Sequence, residues 1–261
     1  MLQLRTMLFS MVFVTAAAVS VAGEESPERP STTAPTTTQS SPDFLFGRPS
    51  TTIGVRALWR SSRAGSEIFD FTQELLTLEK GDFGGPGLLV DVAFPVSQRL
   101  DALFGFEFSR SSALSEYRDF VEDNDLPIEQ VTSFDQVNLT GNVEFALIPR
   151  GREIGRYAWI PSRVVPYIGA GGGFLWYDFV QEGDFVDFDD FSIFDARLAS
   201  SGWTPSAHVS GGVDVKITRR FYVSGEVRYV WAQTALEQDF VGFDDIDLTG
   251  LRITGGIQFV F

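Results

Sequence analysis

The chain has 261 residues, 44% of them hydrophobic and 14% aromatic, with a formal net charge of -15 and no cysteine. The missing cysteine excludes disulfides, thiolate metal sites and a lipid-modified N-terminal Cys, and the acidity excludes nucleic acid, whose phosphates need a basic surface. No apolar run after residue 23 reaches the roughly 20 residues of a spanning helix, so any membrane passage has to be made by strands.

The first residues carry one charge, Arg5, then an apolar run from Met7 to Val19 and a small-residue exit at Ser20-Val21-Ala22. This pattern predicts a signal peptide over residues 1–22. Residues 23–49 are rich in Ser, Thr and Pro and have few apolar side chains, so they are expected to be a disordered lead.

From residue 50 to 261 the chain resolves into eight runs with a period of two. One face of the runs carries Ile53, Val55, Ala57 and Trp59; Leu88, Val90, Val92 and Phe94; Phe104, Phe106 and Phe108; and Val137, Leu139, Val143, Phe145 and Leu147. It continues with Ile168, Ala170, Phe174 and Trp176; Val209, Val213, Val215 and Ile217; and Phe221, Val223, Val227, Tyr229 and Trp231. The last run, Asp247 to Phe261, places Leu251, Ile253, Gly255, Ile257, Phe259 and Phe261 on this face. An uncovered terminal strand invites aggregation, so its edge is expected to close on the first strand.

The opposite face carries Arg56, Arg60, Asp91, Glu107, Asn142, Glu144, His208, Asp214, Lys216, Glu226, Arg228, Arg252 and Gln258. A soluble ligand-binding barrel would turn the apolar face inward. Aromatic residues gather instead at both ends of the runs, Trp59, Trp176, Tyr177, Trp203 and Trp231 at one end and Tyr157, Trp159, Tyr167, Phe221 and Phe261 at the other. Two such belts bracket a bilayer. The fold class is therefore all-β, an eight-stranded antiparallel up-and-down transmembrane barrel, with the charged residues interlocked in a lumen just wide enough for side chains.

Segments 61–86, 111–135, 179–203 and 234–247 are expected as long loops outside, whereas 96–101 and 218–220 are tight turns on the periplasmic side, where both termini would lie. The connection Pro149 to Arg163 is longer and basic, with Arg150, Arg152, Arg156 and Arg163. The outer segments are acidic: Asp184, Asp187, Asp189 and Asp190 alternate with phenylalanines, the theme returns at Asp244 and Asp245, and Glu116, Asp119, Glu122, Asp123 and Asp125 add to it. The alternation predicts strands that extend above the membrane with packed phenylalanines and outward carboxylates. Clustered carboxylates are also candidates for divalent cations, although their spacing matches no defined calcium loop.

Pro166-Tyr167-Ile168-Gly169-Ala170-Gly171-Gly172-Gly173, Gly225-Glu226-Val227-Arg228-Tyr229 and Gly255-Gly256-Ile257-Gln258-Phe259-Val260-Phe261 resemble strands of the small eight-stranded outer membrane barrels. That family joins outer membrane protein A-like transmembrane domains with opacity-type surface antigens. The resemblance covers residues 50–261 and implies an outer membrane location, contact with its lipid, and recognition of Ile257, Phe259 and Phe261 by the barrel-assembly machinery. The Ser/Thr/Pro lead departs from the family pattern. His208-Val209-Ser210 is similar to the His-x-Ser of outer membrane lipid A deacylases, with Glu226 as an orienting acid, but Gly211 stands where that motif has Asn. No cofactor is expected. Three functions remain open: a non-enzymatic structural or surface-interaction barrel, a small-solute pore, and a lipid-modifying enzyme.

Overall fold

The computed structural model describes residues 44–122, 126–155 and 157–261. The expected signal peptide and the expected lead up to residue 43 lie outside the described residues, as do Asp123, Asp125 and Arg156. The fold is an eight-stranded antiparallel up-and-down transmembrane β-barrel. Its strands are β1 (Thr52–Ser62), β2 (Gly85–Pro95), β3 (Leu100–Val121), β4 (Pro127–Ala146), β5 (Val164–Val186), β6 (Ile193–Lys216), β7 (Phe221–Trp231) and β8 (Gly250–Val260).

Each strand pairs with its neighbours in sequence, and β8 closes on β1 from Gly250↔Ser62 to Val260↔Thr52. The terminal edge is thereby satisfied. Paired residues followed once round the wall from Arg60 pass through Arg252, Arg228, Ser210, Gly169, Glu144 and Asp101 to Pro95. The direct partner of Arg60 on β2 is Gly85, ten residues from Pro95. This stagger tilts the strands and fixes the width of the barrel.

Alternation decides the two faces. Val55, Leu88, Phe104, Leu139, Ile168, Val209, Val227 and Ile253 are exposed on the outer wall, whereas Arg56, Asp91, Glu107, Glu144, His208, Asp214, Glu226, Arg228 and Arg252 are buried. A charge turned outward would cost about 2–4 kcal/mol at the bilayer midplane, so the register is strongly specified. Trp59, Trp203 and Trp231 form an outer belt near the loop end, and Trp176 is paired with Trp203. The expected belts need three corrections. Tyr167 and Tyr177 point inward and are buried, because they fall on the lumen phase of β5, and Trp159 is buried in the connection before that strand.

The long connections are more structured than loops. β3 pairs with β4 as far as Glu116↔Glu129, with a further contact at Val121↔Pro127, and β5 pairs with β6 up to Val186↔Ile193. Segments 111–135 and 179–203 are thus largely hairpin. Segment 61–86 holds a helix, α1 (Glu67–Leu75), and a 3-10 turn at Lys80–Phe83. Ile68, Phe69 and Thr72 lie on one helical face and are buried, while Glu67 and Asp70 occupy the first turn, where the helix dipole favours them. At the other end, Leu45–Phe46 pairs with Ala158–Trp159, which pairs in turn with the strand Gly151–Ile154. Residues 45 and 46, within the segment expected as a lead, are thus paired, and the 149–163 connection is a hairpin.

Helix α1 packs onto an apolar cluster at the barrel's loop end. Phe69 is fully buried, with ring centroids 4.7 Å from Phe83, 5.6 Å from Phe134 and 6.0 Å from Phe179. Leu175, Leu236, Phe240, Ile246 and Leu248 belong to the same cluster, so segments from both β1–β2 and β7–β8 share it. Phe69→Ala is expected to destabilise the fold by about 3–5 kcal/mol. Hydrogen exchange of residues 63–84 should accelerate while the β7–β8 ladder stays protected.

Candidate functional site

The lumen concentrates the polar chemistry of the chain in three groups. Nearest the tight turns, Arg150 leaves the connection after β4 and enters the barrel. Its Nη1 donates to Asp214 at 2.6 Å, its Nη2 donates to Glu144 at 3.1 Å, and its Nε lies against Asp101. Gln258 Nε2 also donates to Asp214, at 3.1 Å. One guanidinium thus ties β3, β4 and β6 together through charge-assisted bonds. Lys216 ends β6, half-buried, with the same strand phase as Asp214.

Above it, Glu226 of β7 is the common acceptor. Arg228 donates to its Oε1 from Nε at 3.0 Å and from Nη2 at 2.9 Å, while Tyr167 Oη donates to its Oε2 at 3.1 Å. Arg56 lies 3.4 Å from the same Oε2 and 3.2 Å from Asp91. Two bare backbones make room for these groups. A Cβ on Gly212, the cross-strand partner of Tyr167, would stand 2.5 Å from the phenol ring, and one on Gly54 would stand 2.6 Å from Asp91 Oδ1. The glycines provide close approach here rather than a phosphate cradle.

In the third group, Arg252 donates from Nε to Glu107 and from Nη2 to Gln136 Oε1 at 3.0 Å. Arg60 donates to the Phe134 carbonyl at 2.8 Å and to Ser111 Oγ at 3.3 Å, with its guanidinium 4.5 Å from the Phe134 ring centre. His208 is buried nearby, and neither ring nitrogen has a hydrogen-bond partner among the described residues. Ser210 shares its strand face, but no hydrogen bond joins its hydroxyl to either His208 nitrogen.

The lumen residues named from the sequence leave out Asp101, Tyr167 and Arg150. Asp101 has the same phase as Glu107, and Tyr167 the same phase as Gly169, so both were within reach of the period-two pattern. Arg150 was not, because it reaches the lumen from a connection. The basic cluster expected at 150–163 is divided accordingly: Arg150 turns in, while Arg152 and Arg163 are exposed.

The acidic residues are dispersed. Asp187, Asp189 and Asp190 sit exposed at the β5–β6 tip, where Asp187 Oδ1 accepts from Asp189 N at 2.8 Å. Asp190 Oδ1 accepts from Ser192 N at 2.9 Å, and hydrogen bonds with Ser192 hold its carboxyl below the usual range. Asp184 is half-buried lower on β5, while Asp244 and Asp245 are exposed in the β7–β8 connection. Among the described residues, no three acidic or histidine side chains converge on one point that would hold a metal. At the turn end, Phe259 packs against Phe221 and Phe261, at 4.8 and 4.5 Å, and Ile257 and Phe261 are exposed on the outer wall.

No family model and no curated protein matches the chain. Among solved structures it is similar to the outer membrane protein OprG from Pseudomonas aeruginosa at 10% identity and a TM-score of 0.48, covering 83% of this chain and 98% of that one. It is similar to Neisserial surface protein A at 12% identity and a TM-score of 0.46, covering 81% and 96%. It is similar to the Yersinia pestis attachment invasion locus protein Ail at 14% identity and a TM-score of 0.39, covering 82% and 100%.

The three-carboxylate grip predicts a sharp contrast between neighbouring arginines. Arg150→Ala should cost about 3–5 kcal/mol, since it leaves buried carboxylates without their cation. Exposed Arg152→Ala should stay within about 0.5 kcal/mol. Urea unfolding of refolded protein in micelles measures both.

Proposed function

We propose that this chain is a non-enzymatic outer membrane β-barrel with a structural or surface-interaction role, and that its lumen is plugged. The observation that carries this reading is the lumen packing: Arg56, Arg150, Arg228 and Arg252 each engage carboxylates from other positions on the wall. Apolar packing under α1 occupies the loop end, and Arg150, with Trp159 of the adjoining hairpin beside it, occupies the turn end. A continuous water path would have to break both.

The turn end, with its tight connections, is assigned to the periplasm and the long hairpins to the exterior. Lipid meets the apolar wall, and the barrel-assembly machinery meets β8 through Ile257, Phe259 and Phe261. Surface contact is supported by the β5–β6 tip, where Phe188 and Phe191 are exposed among Asp187, Asp189 and Asp190. Exposed aromatics amid charge suit recognition better than simple solvation. The absence of a His208–Ser210 hydrogen bond favours this reading over lipid hydrolysis.

Planar-bilayer recording of refolded protein tests the proposal. The wild type is expected to show no large, steady conductance, and Arg150→Ala to add brief openings. A large, steady wild-type conductance would favour the pore.

A further inference from the structure

Three guanidiniums stand in one cross-strand row of the lumen wall. Arg252 on β8 is paired directly with Arg60 on β1 and with Arg228 on β7. Like charges directly opposite one another repel, and the effect grows where water is excluded. Arg228 is matched by Glu226 and Arg252 by Glu107, while Arg56, which shares Glu226, is matched by Asp91.

Among the described residues, Arg60 forms no ion pair with a carboxylate. Its partners are a carbonyl, a hydroxyl and the face of Phe134. Asp135, the next acid along β4, belongs to the other face and is held by Arg110 at 2.7 Å. Four guanidiniums, Arg56, Arg60, Arg228 and Arg252, thus face three carboxylates, Asp91, Glu107 and Glu226, in this part of the barrel. The other lumen carboxylates, Asp101, Glu144 and Asp214, gather around Arg150.

Unused donors gather beside the same row. Arg60 Nε and Nη1, Arg252 Nη1, Arg228 Nη1, Gln136 Nε2 and Asn138 Nδ2 have no hydrogen-bond partner among the described residues, and these side chains belong to residues at most 4% exposed. Glu107 Oε2 is also unpartnered, but that carboxylate already serves as the counter-charge of Arg252. Water molecules would satisfy the donors and leave Arg60 without an ion-paired anion. A buried charge is tolerated when it is both hydrogen-bonded and paired.

We propose that the lumen binds one small monovalent anion of the halide class between Arg60 and Arg252, with Arg228 and the amide donors at its edge. The anion supplies the fourth negative charge of the layer and separates two guanidiniums that the register forces together. The site is structural and independent of any surface partner. It gives the protein a halide requirement that screening alone would not produce.

Urea unfolding in nonionic micelles, with bromide replacing gluconate at fixed ionic strength, tests the site. The folded-to-unfolded ratio should rise with bromide, approaching about tenfold for each tenfold increase above half-saturation. Arg60→Met should lose this dependence and Arg152→Ala should keep it. Crystals of the wild type grown in bromide should show an anomalous peak in contact with Arg60 and Arg252, which decides the matter even if Arg60→Met fails to fold. A bromide-independent wild type, an undiminished dependence in Arg60→Met, or ordered water alone beside Arg60 in those crystals would overturn the proposal.

Discussion

Hydrocarbon around an eight-stranded wall leaves one place for charged strand residues, the lumen, and that lumen is too narrow to hold them as hydrated ions. They must therefore satisfy one another. Glu226 shows the consequence: it accepts from Arg228 and Tyr167 and neighbours Arg56, so a single carboxylate joins β7 to β1 and β5. Losing one member leaves its partners buried and unpaired, which makes the network strongly non-additive.

The interior changes character along the barrel. Toward the turn end it is ionic, centred on Arg150; toward the loop end it is aromatic, centred on Phe69. Arg60 marks the boundary, with its shorter hydrogen bond and its ring contact both directed at Phe134. The polar part depends on directed bonds between strands, whereas the apolar part lets α1 and the β7–β8 connection pack as they would in a soluble core. A water path would have to cross both kinds of packing, which is the basis for reading the barrel as shut.

The strands were legible because a period of two survives wherever one face meets lipid, and the eight runs fall on the eight barrel strands. The same alternation marks Glu107 and Arg252 as lumen residues, although neither their pairing nor the charge deficit at Arg60 follows from spacing. Helix α1 was hidden in a segment expected to be a loop. Its trace was Ile68, Phe69 and Thr72 at helical spacing, too short a pattern to stand out between two strands. Arg150 was hidden for a different reason: a connection has no alternation to show which way it turns. The acidic outer residues were legible as composition, yet composition did not reveal that Asp187 and Asp190 serve local turns.

The central claim is that the folded lumen excludes water-borne solutes, and the absence of native cysteine allows a direct test. Single-cysteine proteins Thr254→Cys, in the lumen wall, and Asp190→Cys, at the exposed tip, are reconstituted in vesicles and exposed to a charged, membrane-impermeant thiol reagent. The account predicts rapid labelling at position 190 and, at position 254, labelling only after urea unfolding. Labelling of position 254 in the folded protein as fast as at position 190 would contradict a closed lumen.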